Sequence, residues 1–323
     1  MRLLMMGTGP FAVPTFRSLL QSEHQVLALV TRPIRPPVGR RGRVIQPMRE
    51  VADAYQVPTV APQDVNSPET RSLLAAWGPE LLVVCDFGQI LARDTLHLAP
   101  RGGINLHASL LPEYRGAAPI NWALFDGRTR TGVTVIHMTP RMDSGPCLVK
   151  IPTPIHPDED AVALEQRLAE LGVQAVQQAL DRLSNDDGQS PIGEPQDPAR
   201  ATRAPRLKKS DGLVDWTRKA PAIRDQVRAF KPWPGTYTYW HRGTERAERL
   251  ILDKVSCVPG AGPPQACPGE IVAVDSDQVL VATGDRLLSL ERVQPAGKRV
   301  QEIEAFLRGH PMRTGQRLGP ENG

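Results

Sequence analysis

The sequence lacks any hydrophobic run long enough to cross a membrane. A spanning helix needs about 20 consecutive apolar residues, and no run of that length occurs along the 323 residues. The start, Met1–Gly7, is also without the long apolar core and small-residue cleavage site of a secretory signal. We therefore expect a cytoplasmic protein with no membrane partner, whose first residues form a buried strand.

Cysteine is scarce and scattered. The chain has four cysteines and no Cys-x-x-Cys pair among them: Cys85, Cys147, Cys257 and Cys267. A disulfide framework and a structural zinc site both need closely spaced or paired cysteines. We therefore expect free thiols and no metal cofactor.

Acidic residues are missing from one segment. Between Arg32 and Arg49 no Asp or Glu occurs, although the net charge of the chain is only +4. A second stretch, Arg203–Lys231, also holds many more basic than acidic residues. Such clusters can neutralise phosphates. A solvated, arginine-rich surface is the alternative that charge alone leaves open.

The first half of the chain alternates short apolar runs with helical patterns. The predicted strands are Arg2–Met6, Val26–Thr31, Leu81–Cys85 and Val133–Met138, and the predicted helices are Pro14–Leu20, Pro47–Tyr55 and Asp160–Leu183. Strands buried on both faces and separated by helices are typical of a doubly wound sheet. We predict an α/β domain over residues 1–184, with a Rossmann-like, mostly parallel sheet.

The composition then changes. Ser184–Pro198 is polar and rich in proline, which predicts an exposed linker, placed at residues 185–204. Beyond it, short alternating runs are separated by Gly and Pro. This spacing predicts a small antiparallel barrel or sandwich over residues 205–314.

The segment Gly7-Thr8-Gly9-Pro10-Phe11-Ala12 follows the first predicted strand and matches the dinucleotide fingerprint. An NADP-dependent oxidoreductase is therefore one alternative. The fingerprint also needs an acid at the end of the second strand. Here that strand ends at Thr31-Arg32-Pro33, where only an arginine could serve an NADP phosphate. We favour a tight turn that holds no nucleotide.

A predicted strand beginning at Gly103 carries polar residues on one face. Because side chains alternate along a strand, Asn105, His107 and Ser109 would lie together, opposite Ile104 and Leu106. An amide and an imidazole aimed at one point suit a carbonyl oxygen that becomes negative during acyl transfer. The alternative is a hydrogen-bonded core histidine with an amide neighbour.

A carboxylate follows another predicted strand. Asp143 lies in Met142–Pro146, just past Val133–Met138, and loops at the carboxyl ends of strands hold the sites of α/β sheets. Such a carboxylate could accept a proton from an attacking amine. An Asx-turn cap is the alternative.

Together these motifs resemble the formyltetrahydrofolate-dependent formyltransferase family. The shared pattern is Asn-x-His, then Ser-Leu-Leu-Pro-x-Tyr-Arg-Gly over Ser109–Gly116, then Asp-x-Gly at Asp143–Gly145. The resemblance implies catalytic roles for Asn105, His107 and Asp143, and 10-formyltetrahydrofolate as co-substrate without a metal. It also implies two folate-contacting segments: Ser109, Leu110, Leu111 and Pro112, and a backbone wall around the pterin formed by Phe87, Gly88, Gln89, Ile90 and Leu91.

Over nearly the whole length, the chain resembles the branch of this family that acts on methionyl-tRNA. Several segments resemble its second domain, an open barrel of the OB type: Ala204–Lys208, Asp215-Trp216, Arg228–Gly235 and Gln294–Lys298. The resemblance implies formylation of initiator methionyl-tRNA for translation initiation, by a protein that we expect to be a monomer. It implies tRNA contacts by basic residues of the loop and the barrel: Arg35, Arg40, Arg41, Arg43, Arg206, Lys208 and Lys209. A sugar-amine formyltransferase is the alternative.

The chain departs from the family pattern at two places. Ile34 stands where the arginine-rich loop usually has an acid. Asp86 stands where small residues usually precede an aromatic residue, so a carboxylate lies next to the expected folate wall.

Overall fold

The computed structural model describes residues 1–34, 46–186, 192–243, 247–260 and 265–322. The chain divides into two compact units. The first comprises Met1–Pro119, Arg130–Pro154 and Leu164–Pro205, and the second comprises Ile120–Thr129, Ile155–Ala163 and Arg206–Gly323. The domain limits expected from the sequence, 1–184, 185–204 and 205–314, stay a prediction.

The first unit is built on a seven-stranded sheet. Its strands, with two short ones outside the sheet, are β1 (Arg2–Gly7), β2 (Gln25–Val30), β3 (Thr59–Val60), β4 (Leu81–Cys85), β5 (Gly103–His107), β6 (Arg115–Gly116), β7 (Arg130–His137), β8 (Cys147–Pro154) and β9 (Arg203–Ala204). The order across the sheet is β3-β2-β1-β4-β5-β7-β8. Pairing is parallel from β3 to β5, and antiparallel between β5 and β7 and between β7 and β8. The predicted Rossmann-like, mostly parallel sheet is confirmed.

Between these strands the described chain forms six α-helices: α1 (Val13–Leu20), α2 (Pro47–Ala54), α3 (Pro68–Ala76), α4 (Arg93–Leu96), α5 (Pro119–Phe125) and α6 (Ala161–Ser184). Of these, α5 from Ile120 onward and the first three residues of α6 belong to the second compact unit. Local chemistry sets their ends. The Ser67 side chain accepts a hydrogen bond from the Thr70 N–H at the start of α3, where Pro68 supplies a suitable backbone angle. In α6, Leu164, Leu168 and Ala175 recur at helical spacing and are fully buried. This apolar stripe fixes which face of α6 packs inward.

The packing of the core explains why strands β1 and β4 carry apolar side chains on both faces. Leu3–Met6 in β1 and Leu81–Cys85 in β4 are buried on both faces, as parallel strands covered by helices must be. Polar side chains are therefore expected only where a strand ends. That edge is where the candidate site lies.

The second unit is a nearly closed antiparallel barrel. It contains β10 (Thr236–His241), β11 (Glu248–Cys257), β12 (Ile271–Val274), β13 (Val279–Ala282), β14 (Leu287–Pro295), β15 (Gln301–Glu302), β16 (Arg317–Gly319), α7 (Ala220–Ala229) and α8 (Ile303–Gly309). The strand order is β12-β13-β14-β11-β10-β16, with β15 beside β14. A bridge between Glu270 and Arg317 brings the two ends of the sheet together. The core includes Trp240, Ile271 and Phe306, and the predicted small barrel is confirmed.

Among the helices that the structure describes, none is both long enough and apolar enough to cross a membrane.

Candidate active site

Chain topology brings three separate segments to one edge of the first sheet. Val84 near the end of β4 pairs with Asn105 in β5, so these parallel strands end side by side. The next strand, β7, runs antiparallel to β5, with Asn105 opposite Ile136 and His107 opposite Thr134. The chain that leaves β7 turns back over this edge and carries Asp143 into it.

The structure brings Asn105, His107 and Asp143 together. The Asn105 Nδ2 group donates to Asp143 Oδ1 at 3.4 Å, and His107 Nδ1 lies 3.8 Å from Asp143 Oδ2. The Gly116 N–H donates to the same Oδ2 atom at 2.9 Å. The His107 and Asp143 side chains are only 7% and 12% exposed. An amide donor, an imidazole and a carboxylate thus share one small, mostly buried space.

The hydrogen bonds of His107 define which ring nitrogen faces the carboxylate. Nε2 lies 2.9 Å from the Tyr114 carbonyl oxygen, and a carbonyl only accepts, so Nε2 carries a proton. Nδ1 is therefore the atom that faces Asp143.

Ser109 differs from the expectation that it continues the polar face of the strand. β5 ends at His107, and Ser109 is fully buried in the following turn. Its hydroxyl donates to the Glu113 carbonyl at 2.6 Å, and its own carbonyl accepts from the Thr134 hydroxyl at 2.7 Å. The hydroxyl shapes the Leu-Leu-Pro turn. β5 thus ends two residues before Ser109, although Ser109 Oγ and His107 Nε2 both bond to the Glu113–Tyr114 segment.

The other residues of that turn divide between core and surface. Leu111 is buried against Ile136 and Cys147, whereas Leu110 is half-buried and Pro112 is buried. Leu111 is thus part of the core that holds the turn, and its side chain has no free face for a ligand.

The Phe87–Leu91 segment presents mainly its backbone. Phe87 and Leu91 point into the core, and the Gln89 side chain is engaged with Val65 N at 2.9 Å and Pro62 O at 3.2 Å. Within the described ranges, the N–H groups of residues 87–91 have no hydrogen-bond partner. Ile90 is 61% exposed. Free N–H groups beside an exposed apolar side chain suit a flat heterocycle.

Asp86 adds an unusual carboxylate to the same edge. Its backbone has a positive φ of 47°, and its carboxylate lies against Gly9, where a Cβ would come 1.7 Å from Oδ2. Burial, followed by the nearby charge of Glu165, raises the pKa of Asp86 to about 6. The residue as a whole is still exposed to solvent.

This carboxylate argues against a dinucleotide at the glycine fingerprint. A bound pyrophosphate would approach Gly9 from the face that Asp86 covers, and two anions repel there. A 3₁₀ turn, Pro10–Ala12, further separates the glycines from α1. The geometry supports the tight turn without nucleotide.

The residues expected to contact tRNA fall into two groups. Arg35, Arg40, Arg41 and Arg43 lie outside the described residues. Arg206, Lys208 and Lys209 are exposed, and none of the three forms an ion pair within the part of the chain that is described.

Other cations of the same basic stretch are engaged in the second unit. Arg224 and Arg228 both contact the buried Asp225, at 3.0 Å and 2.9 Å. Lys231 lies within 4 Å of two carboxylates, those of Asp160 and Asp253. Some basic residues of this stretch thus form ion pairs within the fold, whereas others are exposed without an ion pair among the described residues.

Sequence reasoning missed the residues that hold the site from behind. The Gln196 amide donates to the Asp143 carbonyl at 2.9 Å and to the Gly145 carbonyl at 2.7 Å. The Thr202 hydroxyl accepts from the Tyr114 N–H at 2.8 Å. Both residues lie in or just beyond a polar, proline-rich stretch, where no periodicity marks a contact. No group of three or more His, Cys, Asp or Glu in the described ranges is placed to hold a metal.

The fold is shared with solved structures of formyltransferases. A sugar 3N-formyltransferase, WlaRD, crystallised with dTDP and 5-N-formyl-tetrahydrofolate, matches 93% of this chain and 99% of its own, with a TM-score of 0.64 and 13% identity. HypX from Aquifex aeolicus in complex with tetrahydrofolic acid matches 95% of this chain and 46% of its own, with a TM-score of 0.61 and 15% identity. At such identities the likeness is one of fold alone.

The sequence goes further, and the chain belongs to the formyl transferase family. The family pattern described as Formyl transferase matches residues 1–180, and its C-terminal domain matches residues 206–311. A methionyl-tRNA formyltransferase of Rhodopirellula baltica is 40% identical, covering 98% of this chain and 96% of its own length. One from Geobacter sulfurreducens is also 40% identical, covering 99% and 97%.

Proposed function

We propose that this protein transfers the formyl group of 10-formyltetrahydrofolate to the α-amino group of methionine on initiator methionyl-tRNA, for translation initiation in the cytoplasm. The observation that carries the proposal is the cluster of Asn105, His107 and Asp143. It lies in a chain 40% identical to methionyl-tRNA formyltransferases over nearly its full length. The donor amide, the imidazole and the carboxylate are the groups that formyl transfer to an amine needs.

In the first step, the neutral α-amine attacks the formyl carbon. A nitrogen–carbon bond forms, and the π electrons of the carbonyl move to its oxygen. Asn105 Nδ2 donates to that oxygen and the imidazole of His107 stabilises it, and the oxygen carries full negative charge only after attack. Donors positioned before the reaction stabilise this charge without reorganising.

In the second step, Asp143 removes the excess proton from the attacking nitrogen, directly or through water. The intermediate then collapses: the carbonyl re-forms, the bond between the formyl carbon and N10 of the folate breaks, and the same proton is delivered to N10. The Asp143 carboxylate is thus regenerated. Its bonds to Asn105 and Gly116 hold it within reach throughout.

The folate is proposed to lie along residues 87–91, with the pterin against their backbone. The unpartnered N–H groups there and the exposed Ile90 support this placement. Ser109, Leu110, Leu111 and Pro112 are proposed to form the opposite side through the shape of their turn. Their buried hydrogen bonds support a rigid wall rather than direct side-chain contacts.

Replacement of the proposed catalytic residues tests the chemistry. We expect Asn105→Ala and Asp143→Ala to fold normally. The first should lose turnover by roughly 10²–10³, the usual loss for one oxyanion-stabilising donor, and the second by roughly 10²–10⁴, the usual contribution of a general base. Formylation of methionyl-tRNA measures this effect. Asn185→Ala and Asp158→Ala, at exposed positions, serve as controls of the same residue types. Turnover near that of the unmodified enzyme in either site variant would refute the assignment.

A competition between acceptors tests the substrate. Methionyl-tRNA and amino-sugar nucleotides are offered with the same folate donor, and the specificity constants are compared. We expect strong preference for the tRNA. Preference for the amino sugar would instead make the protein a sugar-amine formyltransferase. Binding of NADPH without use of folate would support the oxidoreductase alternative.

A further inference from the structure

The segment Glu194–Ala204 lies outside the seven-stranded sheet and pairs with parts of the chain next to the site residues. Its first residue forms a bridge with Cys147 at the start of β8. Its last two residues form β9, which pairs in parallel with β6, Arg115–Gly116. The segment belongs to the first compact unit. We call it the clasp segment.

One clasp residue holds the loop of Asp143 by its backbone. The two N–H groups of the Gln196 amide donate to the carbonyls of Asp143 and Gly145. The remaining oxygen of the amide accepts from Arg115 Nε at 3.1 Å and Nη2 at 2.6 Å. Because the guanidinium only donates, it fixes which end of the amide faces the loop.

The loop needs such a hold because its backbone is strained. Asp143 has a positive φ of 48°, a conformation that costs free energy for any residue except glycine. Gly145 is packed so closely that a Cβ would come 1.8 Å from the His137 carbonyl. If the backbone of Asp143 relaxed, its carboxylate would swing away from Asn105 and His107.

A second clasp residue acts on His107 through Tyr114. The Tyr114 N–H donates to the Thr202 hydroxyl at 2.8 Å, and the Tyr114 carbonyl accepts from His107 Nε2 at 2.9 Å. Tyr114 also has a positive φ, 60°. The hydroxyl therefore anchors the peptide that precedes Tyr114, directly next to the Tyr114–Arg115 peptide whose carbonyl accepts from His107.

We propose that Gln196 and Thr202 are positioning residues, which hold Asp143 and His107 in the geometry for formyl transfer. The proposal rests on the proposed function of Asp143 and His107. Neither clasp residue contacts the reacting atoms, so their loss should lower kcat and leave substrate binding intact. A displacement of about 1 Å in a catalytic group can cost about 10²-fold in rate.

Substitutions at Gln196 separate the effect of its donated hydrogen bonds from the effect of its side-chain packing. Gln196→Met removes the whole amide at similar volume, and Gln196→Glu keeps an acceptor for Arg115 but removes both donors. We expect both to lower kcat by about 10-fold or more, with KM for tRNA and folate within about 2-fold. Gln177→Met is the control: it removes a hydrogen bond from the Gln177 amide to the Ser18 hydroxyl in the same unit. It should leave kcat and KM unchanged.

Substitutions at Thr202 provide a rescue. Thr202→Val removes the hydroxyl at nearly constant shape, and Thr202→Ser restores it. We expect a loss in kcat for the first and recovery for the second. Thr217→Val is the matched control, because it removes a hydrogen bond from the Thr217 hydroxyl to the Asp215 carboxylate. Equal activity of the Val and Ser variants would overturn the role of Thr202.

A double-mutant cycle shows whether Gln196 acts through Asp143. If it does, Gln196→Met adds little loss to Asp143→Asn, since the carboxylate that it positions is already gone. Additive losses, or an unchanged kcat in the single variant, would overturn the positioning role. If Gln196→Met does not fold, Gln196→Glu carries the cycle. Full turnover in Asp143→Asn alone would refute the proposed function itself, whatever Gln196 does.

Discussion

At the scale of single residues, Asp86 shows how the surroundings of a carboxyl group change its pKa. Burial and the nearby Glu165 raise its pKa from 3.8 to about 6. The folded state then binds a proton more tightly than the unfolded state between about pH 4 and pH 6. The free energy of unfolding therefore falls as the pH rises through this window, and the full penalty is present above pH 6.

We expect Asp86→Asn to stabilise the protein at pH 7.5 and to change little at pH 4. One pKa unit corresponds to about 1.4 kcal/mol. Because the residue as a whole is exposed to solvent, we expect a gain of only about 1 kcal/mol at pH 7.5. Urea unfolding at the two pH values measures it, with the exposed Asp277→Asn as control. An equal gain at both pH values would show that the charge is not the cause.

At the scale of elements, the short pair β6–β9 depends on one glycine. Gly116 has a φ of 127°, and a Cβ there would come 2.4 Å from the Ala204 carbonyl oxygen. Its N–H also donates to Asp143. A side chain at this position would force the two strands apart and move the donor away from the carboxylate.

We expect Gly116→Ala to lower the free energy of unfolding by about 1–3 kcal/mol and to lower kcat at least 10-fold, an order-of-magnitude loss typical of a displaced site. Gly297→Ala is the control, because Gly297 also has a positive φ, 73°, with nothing near its Cβ position. The control should lose some stability and keep its turnover. If both variants lose turnover equally, backbone strain alone is responsible.

At the scale of the whole molecule, a net charge of +4 says less than its distribution. Arg224, Arg228 and Lys231 are engaged by carboxylates, so their charges are balanced within the second unit. Arg206, Lys208 and Lys209 are exposed without ion pairs among the described residues. These free cations are the ones proposed to meet phosphates.

We expect Lys208→Ala with Lys209→Ala to weaken tRNA binding and to reduce its salt dependence. Each lost phosphate contact lowers the slope of log K against log salt by about 0.7–0.9. Binding measured over a salt series gives the slope. Lys254→Ala with Arg308→Ala removes the same charge from surface ion pairs and should leave the slope unchanged. Equal slopes in both double variants would argue against a contact at Lys208 and Lys209.

The sequence by itself determined the elements and the chemistry that repeat locally. Apolar runs gave β1 and β4, helical spacing gave α6, and the Asn-x-His, Leu-Leu-Pro and Asp-x-Gly segments indicated a formyl-transfer site. The predictions of β1, β4 and α6 succeed because burial on a strand or helix leaves a period that neighbouring residues share. Even so, the end of β5 at His107 was missed, since a hydrogen-bonded turn replaced the strand there.

Only the tertiary structure decided which distant residues meet the three site residues. Asn105 meets Asp143 across 38 positions, and Tyr114 meets Thr202 across 88, because β7 pairs antiparallel with β5 and β9 returns to β6. The contacts of Gln196 with the Asp143 loop and of Asp86 with Gly9 were likewise decided only by the tertiary structure. Neither residue lies in a periodic pattern, because a single polar contact between segments depends on where the chain returns, and on nothing in its immediate neighbours.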